Sequence, residues 1–302
     1  MSDTKYTVSQ EKRELSVLSL FDGISCGMEA LKRNNTPVKI YNAYEIEPNA
    51  IKISQKNHPE IIQCGSVIDT DFTRYKGYDL LIGGSPCQSL SITRSKDRTH
   101  LEGKSKLFWE YVRALEEVQP KYFLFENVAS MNEESKDVIS EALGCQPVFI
   151  DSAMFSAQTR ERLYWTNIPL SPIEEIKPNT LVVKDILQEN VPEKYYYSCD
   201  YDMIGFDKVV CAKLHLNGHD LCKRVNSPYQ KCQTLTCISG GNQHNKTFDH
   251  GRIRKLTPLE YERLQTLPDN YTYGVSDTAR YTAVGNGWTV DVIAYLLKNI
   301  TY

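Results

Sequence analysis

The first half of the chain alternates between short apolar segments and segments with the spacing of a helix. The apolar segments predict β-strands at 15–21, 39–44, 78–82, 122–126 and 147–151. The segments between them predict helices at about 27–33, 48–57, 106–118 and 135–143. This order is typical of a doubly wound α/β fold, in which a mostly parallel sheet is covered on both faces and ligands bind at the carboxyl ends of the strands.

The pattern changes after Asn167. Prolines interrupt 168–179, and residues from about 190 to 250 mix Tyr, Cys, Ser, Gly and Asn without a helical period. Helical spacing returns at 256–267 and at 289–300. We therefore expect a large domain formed by 1–190 and 281–302, and a second, smaller, loop-rich domain at 191–280.

Composition excludes several classes of protein. The 302 residues are 41% hydrophobic and 24% charged, as in ordinary globular proteins, and the net charge of −3 predicts no global basic field for nucleic acid. No apolar run approaches the roughly 18 residues of a membrane helix, and the first residues lack the apolar core of a signal peptide. Nine scattered cysteines favour free thiols in a reducing compartment. We expect a cytoplasmic protein without a membrane contact.

A glycine-containing turn follows the first predicted strand and leads into a helix at 21–27. This is where a doubly wound sheet binds a nucleotide-like cofactor, but the spacing is not GxGxxG and no phosphate-binding lysine follows. A cofactor without phosphates is favoured. Glu45 ends the second strand, at the separation from Gly23 where an acidic side chain binds ribose hydroxyls. On these residues alone, a structural turn beside a surface glutamate is an equal alternative.

Three later strand ends carry reactive or charged side chains. Cys87 lies in a Gly/Pro turn, where nearby amides could lower the pKa of a thiol and make it a nucleophile, or it could be a small buried side chain. Glu126 ends the strand predicted at 122–126, as a capping acid or a general acid. Arg160 and Arg162 lie on one side of an extended segment, as a solvated face or an anion clamp.

The order of these pieces resembles the cytosine-5 DNA methyltransferase family over nearly the whole chain. The matching motifs are the glycine turn, the acidic strand end, Pro-Cys-Gln at 86–88, Glu-Asn-Val at 126–128, Gln-x-Arg-x-Arg at 158–162, Gln-Thr-Leu-Thr at 233–236, Arg-Lys-Leu-Thr-Pro at 254–258 and Gly-Asn-Gly-Trp at 285–288. The stretches around Cys87, Glu126 and Trp288 are most similar to the animal de novo type. We expect a bacterial or phage member with a Rossmann-like, S-adenosylmethionine-dependent methyltransferase sheet and a target-recognition domain.

The resemblance implies a role for each catalytic candidate. Cys87 would add to carbon 6 of a cytosine flipped out of double-stranded DNA, and Glu126 would bind ring nitrogen 3 and the exocyclic amine as a protonated or proton-sharing carboxyl. Arg162 would hold the carbonyl oxygen at position 2. Arg160 would support the phosphates or the catalytic loop, and Asn127 would position the turn at Pro86.

The resemblance also implies a site for S-adenosylmethionine. One position departs from the family, because Ser66 stands where an aspartate usually accepts a hydrogen bond from the adenine amine, so we expect modest cofactor affinity. The residues expected at this site are Phe21, Asp22, Gly23, Ile24, Cys26, Gly27, Glu45, Ile46, Ser66, Val67, Leu107, Asn286 and Trp288.

Two basic clusters are candidates for DNA contact. The segment 88–106 holds Arg94 and four lysines or arginines more among serines, which suits a loop closing over DNA, although a solvated charge run is the alternative. Lys246, Arg252, Arg254 and Lys255 form the second cluster. The side chains expected to touch DNA are Gln88, Ser91, Thr93, Arg94, Thr234 and Arg254.

Several alternatives stay open on sequence. The same chemistry could act on transfer RNA, the chain could be an inactive DNA-binding relative, or the fold alone could serve an oxidoreductase. Cys211, His215, His219 and Cys222 could hold zinc, but their spacing fits no CxxC finger and we expect no metal. A restriction endonuclease is a possible partner, and neither the oligomeric state nor the DNA target sequence can be deduced.

Overall fold

The computed structural model describes residues 14–86, 107–238 and 241–301. Its larger sheet has seven strands: β1 Leu15–Leu20, β2 Val38–Tyr44, β3 Ile62–Gln63, β4 Leu80–Gly83, β5 Tyr122–Val128, β6 Val148–Asp151 and β7 Glu161–Thr166. Their spatial order is β3-β2-β1-β4-β5-β7-β6, and only β7 runs antiparallel to its neighbours. The chain order reverses between β1 and β4, so the carboxyl ends of these strands form the usual ligand crevice of a doubly wound sheet.

The helices are α1 Cys26–Arg33, α2 Pro48–Asn57, α3 Leu107–Val118, α4 Glu133–Leu143, α5 Asp220–Lys223, α6 Pro258–Leu264, α7 Asp277–Asn286 and α8 Val290–Leu297. Local signals fix several of their ends. Pro48 occupies the first turn of α2, and the side chain of Glu47 accepts from the amide of Asn49. Gly144 ends α4 in a left-handed conformation at φ 68°.

Both faces of the large sheet are buried. Val17, Leu80 and Leu124 point into one core with α1 and α8, whereas their neighbours Leu18 and Leu81 point into a second core with α3. Period-two alternation of buried side chains is what a sheet covered on both faces requires. The predicted α/β, doubly wound class is therefore confirmed, with the short β3 and the antiparallel β7 as strands that the pattern did not identify.

A second sheet lies within the segment that was predicted to be loop-rich. Its strands are β8 Tyr201–Met203, β9 Val210–Leu214, β10 Arg224–Asn226, β11 Lys246–Asp249 and β12 Arg252–Lys255, in the order β12-β11-β10-β9-β8. Cys211, Leu214, Val225, Phe248 and Ile253 form a small core of their own. The loop-rich expectation did not include this sheet, because its short strands mix charged with apolar residues.

The residues that follow β12 pack in the core of the large domain. Leu256, Tyr261, Leu264 and Tyr271 belong to the same core as α1 and α8. The boundary expected at 280 stays a prediction, and α6, which precedes it, buries its apolar face in the large core. Within the part of the chain that the structure describes, no helix is long and apolar enough to cross a membrane.

Candidate active site

A cleft of about 1230 Å³ opens at the carboxyl edge of the large sheet. Its walls come from the loop after β1, the ends of β2, β4 and β5, the start of β7, the segment 234–237 and the turn between α7 and α8. Most of the predicted site residues that the structure describes line it: Phe21, Asp22, Gly23, Ile24, Cys26, Glu45, Glu126, Arg160, Arg162, Thr234, Asn286 and Trp288.

The loop after β1 has an unusual backbone. Phe21, Gly23 and Ser25 all have positive φ, at 58°, 58° and 61°. Such conformations are costly for residues with a side chain and persist where the surroundings hold them. Here they turn the chain sharply, so that α1 starts immediately below the cleft.

Asp22 is the acid of this loop and is partly exposed at the cleft wall. Its carboxyl accepts hydrogen bonds from Ser19 Oγ (2.6 Å), Ser25 Oγ (2.5 Å) and Tyr41 Oη (2.7 Å). Burial raises the pKa of Asp22, although these hydrogen bonds oppose the shift. The carboxyl is therefore fixed in one position, and Tyr41, in the middle of β2, is a site residue that the sequence did not reveal.

Glu45 ties the loop after β1 to the end of β2. Its Oε2 accepts from the amide of Gly23 (2.8 Å), and its Oε1 accepts from the amides of Ile46 (2.7 Å) and Glu47 (2.8 Å). Three backbone donors hold the carboxylate, whose remaining lone pairs can accept further donors. The role of Glu45 at the ribose stays a prediction.

Five residues expected at the cofactor site lie elsewhere. Gly27 faces the core, where an added Cβ would be 2.3 Å from Ile82 Cδ1, so this glycine serves helix packing. Val67 is buried in the second core, and Leu107 packs against the same core. Ser66 is exposed and accepts from the amide of Ile68, and Ile46 is 72% exposed beside the cleft. None of these five side chains belongs to the cleft wall.

Glu126 is held by two donors from different parts of the chain. Arg162 Nε lies 2.8 Å from Oε1, and Trp288 Nε1 donates to Oε2 at 3.1 Å. Both side chains of the ion pair are about seven-eighths buried, at 14% and 13% exposure. Donors lie on both oxygens of Glu126, and the expectation of a protonated or proton-sharing carboxyl toward the base stays a prediction.

Gly84 allows the end of β4 to approach this carboxylate. An added Cβ would lie 2.8 Å from Glu126 Oε2 and 3.4 Å from Trp288 Nε1. A side chain at this position would displace the glutamate or the indole, which explains the glycine pair just before Ser85 and Pro86. Gly84 is a site residue that the sequence analysis missed, although the doubled glycine at the strand end was a visible signal.

Arg160 is buried and satisfied by backbone. Its Nη1 donates to Leu235 O, and its Nη2 donates to Gly285 O and Gly287 O, each at 3.0 Å. Burial and then the nearby Arg162 lower the pKa of Arg160 to about 10. The predicted support of DNA phosphates is corrected, because a guanidinium that is 4% exposed and bonded to three carbonyls positions the walls of the cleft instead.

Two buried polar atoms stand at the base of the cleft. Asn127 Nδ2 and Ser85 Oγ have no hydrogen-bond partner within the described ranges, whereas Asn127 Oδ1 accepts from the amide of Val128 at 2.8 Å. Both residues border the turn at Pro86. The predicted nucleophile Cys87 follows directly and lies outside the described residues, as do Gln88, Ser91, Thr93, Arg94 and the basic segment to Lys106.

Comparison with known proteins decides the family. The model of the C-5 cytosine-specific DNA methylases matches residues 15–302. The chain belongs to this family. It is accordingly a DNA cytosine-5 methyltransferase, in agreement with the resemblance carried by its motifs.

Relatives of the methylase come from phages and bacteria. The orphan methyltransferase M.SPRI of Bacillus phage SPR is 30% identical, with 96% of this chain and 98% of that protein covered. The type II methyltransferase M.HpaII of Haemophilus parainfluenzae is 27% identical over 74% of this chain and 72% of its own length. Among solved structures, the Schizosaccharomyces pombe Dnmt2 methyltransferase has a TM-score of 0.70 at 19% identity, covering 94% of this chain and 97% of its own. That likeness shows the fold.

Two members of the second basic cluster of the methylase, Arg254 and Lys246, are buried. Arg254 is fully buried, with Nε 2.7 Å from Asp249 Oδ2 and Nη2 2.7 Å from Glu260 Oε1. Lys246 is fully buried and donates to Asn242 O and His244 O. The prediction that Arg254 contacts DNA is therefore wrong, because two carboxylates already occupy its guanidinium.

Thr234 and Asn286 lie where the segment 234–237 meets the turn between α7 and α8 at the cleft. Thr234 Oγ1 donates to Thr159 O at 2.7 Å, and Asn286 Oδ1 accepts from Cys237 Sγ at 2.6 Å. Gly285 permits this contact, because an added Cβ would lie 2.6 Å from Thr236 O. Contact of Thr234 with DNA stays a prediction.

The candidate zinc ligands do not converge. Cys211 is buried and donates to Val225 O, and His215 pairs with Asp202 at 3.0 Å. In the described segments, no group of three or more His, Cys, Asp or Glu side chains could hold a metal ion. Cys26 is a second thiol at the cleft, but burial raises its pKa to about 12, so it is a poor nucleophile.

Proposed function

We propose that the methylase transfers a methyl group from S-adenosylmethionine to carbon 5 of a cytosine flipped out of duplex DNA, with Cys87 as the nucleophile. The observation that carries the proposal is the Glu126 carboxylate, held by Arg162 and Trp288 in a deep cleft beside the end of β4. Cys87 comes directly after Pro86, which lines the same cleft.

The glutamate is suited to bind the flipped base. A carboxylate can accept about four hydrogen bonds, and the described donors use two of these positions. The exocyclic amine can donate to one of the others. Ring nitrogen 3 is itself an acceptor in neutral cytosine, so its contact with Glu126 requires a proton shared between the carboxyl and the ring. Extruding a base from the duplex costs a few kcal/mol, so contacts of this kind must compensate the lost stacking.

Arg162 supports the charge that develops on the ring. Addition of the Cys87 thiolate forms a sulfur–carbon bond at carbon 6 and moves electron density toward oxygen 2, nitrogen 3 and carbon 5. Arg162 has five N–H donors, of which Nε faces Glu126 and one on Nη1 faces Glu161 O at 2.8 Å. The remaining donors can hold oxygen 2, where a preorganised donor stabilises the developing charge. Carbon 5 would then take the methyl group, with S-adenosylhomocysteine as the leaving group. Transfer of the carbon 5 proton to water and departure of the thiolate from carbon 6 would restore the aromatic ring.

The other end of the cleft fits S-adenosylmethionine. Asp22, Glu45 and Glu47 all line it, and this concentration of carboxyl groups suits a cationic ligand better than a phosphate. S-adenosylmethionine supplies an electrophilic methyl group when bound. Glu45 would hold the ribose and Asp22 the methionine side, while Ser66, which lies away from the cleft wall, adds no hydrogen bond to the adenine, in keeping with modest affinity.

Double-stranded DNA is the proposed partner. The relatives include both orphan and type II methyltransferases, so a restriction endonuclease partner remains a prediction. Co-purification of the methylase with a nuclease that cuts the unmethylated target would establish it.

The first experiment measures transfer of labelled methyl from S-adenosylmethionine to unmethylated plasmid DNA, followed by bisulfite sequencing. We expect 5-methylcytosine in a defined sequence context with the wild type and none with Cys87→Ser. Cys145→Ser, a half-buried thiol remote from the cleft, is the matched control and should retain activity. Transfer to RNA in place of DNA, or undiminished activity of Cys87→Ser, would contradict the proposal.

A further inference from the structure

Trp288 lies at the junction of two parts of the cleft. Its indole N–H donates to Glu126 Oε2, a contact between residues 162 positions apart in the chain. Its backbone bonds to the thiol of Cys26, in the first turn of α1. One residue thus touches both the catalytic strand β5 and the segment predicted to hold the cofactor.

The backbone around Trp288 is held rigidly. Gly287 O accepts from Arg160 Nη2 at 3.0 Å and from Gln265 Nε2 at 2.9 Å. Gly287 also packs closely, because an added Cβ would be 3.3 Å from Cys26 Sγ and 3.5 Å from Ile24 Cδ1. The backbone that carries the indole is therefore fixed relative to the loop after β1.

Glu126 depends on this indole for its orientation. Arg162 fixes only one of its oxygens, and a carboxylate held at one oxygen can still rotate about its terminal torsion. The Trp288 N–H fixes the second oxygen, and Gly84 closes the space behind it. With both oxygens held, the free lone pairs keep one direction toward the base.

We propose that Trp288 is a positioning residue, whose indole N–H sets the Glu126 carboxylate for the base and whose backbone ties that carboxylate to the cofactor loop. This inference rests on the proposed function. Its consequence is that removal of the N–H alone, with the ring kept, impairs methyl transfer more than cofactor binding. A wall residue of the pocket would show the opposite pattern.

The test uses Trp288→Phe, which keeps an aromatic ring and removes the donor. We expect kcat for methylation of duplex DNA to fall roughly tenfold to a hundredfold, the usual loss for a hydrogen bond to a charged group. Calorimetry should find the affinity for S-adenosylhomocysteine within about threefold of the wild type, with an unchanged melting temperature. Trp109→Phe, on the exposed side of α3 and 46% exposed, is the matched control.

A double-mutant cycle separates positioning from packing. If Trp288 acts through Glu126, the double variant Trp288→Phe/Glu126→Gln loses no more activity than Glu126→Gln alone. Multiplicative losses, an unchanged kcat in Trp288→Phe, or an equal loss of S-adenosylhomocysteine affinity would overturn the proposal. A wild type that transfers methyl to no DNA would instead count against the proposed function.

Discussion

Two arginine–carboxylate pairs of this methylase have opposite surroundings. Arg162 and Glu126 meet at the cleft, each about one-eighth exposed, and use only part of their hydrogen-bonding capacity. Arg254 is closed in by Asp249 and Glu260, at 0% exposure. The same residue types therefore serve ligand binding in one region and stability in the other. What distinguishes them is whether donors and acceptors remain free toward a cavity.

A substitution in the pair that faces the cleft, Arg162 and Glu126 (the open pair), gives the largest expected effect on activity. Glu126→Gln keeps the shape of the side chain but removes the charge that Arg162 and the base require, so kcat should fall by about 10³-fold. Single-turnover methyl transfer measures it, and the melting temperature should stay close to that of the wild type. Glu141→Gln, on the exposed face of α4, is the control. Activity within threefold of the wild type would remove Glu126 from the mechanism.

A substitution in the buried group of Arg254 with Asp249 and Glu260 (the closed pair) should lower stability rather than activity. Arg254→Met leaves two carboxylates buried without a counter-charge, and the free energy of unfolding should fall by about 3–5 kcal/mol. Arg252→Ala, which breaks an exposed pair with Glu193, should cost less than about 1 kcal/mol. Urea unfolding compares the two. If Arg254→Met kept its stability and lost affinity for DNA, the original prediction for this arginine would be reinstated.

Gly84 tests how tightly the open pair is built. Gly84→Ala places a methyl group 2.8 Å from Glu126 Oε2 and 3.3 Å from Glu126 O, so the glutamate must move. A displacement of this size costs about 10²-fold in rate. Steady-state kinetics should show the loss mainly in kcat. Gly27→Ala, which meets Ile82 in the core, should lower stability without this specific loss.

His244, a half-buried side chain near Lys246 and Lys255, should make stability depend on pH. Burial, and then the nearby Lys255 and Lys246, lower the pKa of His244 from 6.5 to about 4. Since the unfolded chain binds the proton more readily, stability should fall by about 2 kcal/mol as the pH drops from 6.5 to 4. His244→Phe keeps the ring contact with Tyr281 and should flatten this dependence. An equally steep dependence in His244→Phe would assign the effect to other groups.

The fold was predictable where patterns are long. Strand β5 opens with an apolar run at 122–125, and α2 begins at the proline that the sequence predicted as its first residue. The second sheet was not predicted, because its short strands mix charged with apolar residues, whereas the equally short β4 is an apolar run. Its charged residues misled for a related reason: Arg254 is buried only because Asp249 and Glu260 fold against it, and burial is a tertiary property.

The candidate site was predictable in its residue types but not in its connections. Glycine turns, acidic strand ends and Pro-Cys-Gln are local signals, and most of the predicted residues line one cleft. The contacts that shape this cleft join distant segments, such as Trp288 with Glu126 and Arg160 with Gly285. No local pattern specifies such pairs, so Arg160 was expected to support the phosphates or the catalytic loop, and its contacts with the cleft wall were not foreseen.

The central claim is that the cleft holds a cytosine for attack by Cys87. Its most direct test incubates the methylase with S-adenosylmethionine and duplex DNA carrying 5-fluorocytosine at the target position, where fluorine replaces the proton that must leave. The account predicts a covalent protein–DNA complex by mass spectrometry, with the modified peptide containing Cys87, and none with Cys87→Ser. Failure of the active wild type to form this complex, or an adduct on another residue, would contradict it.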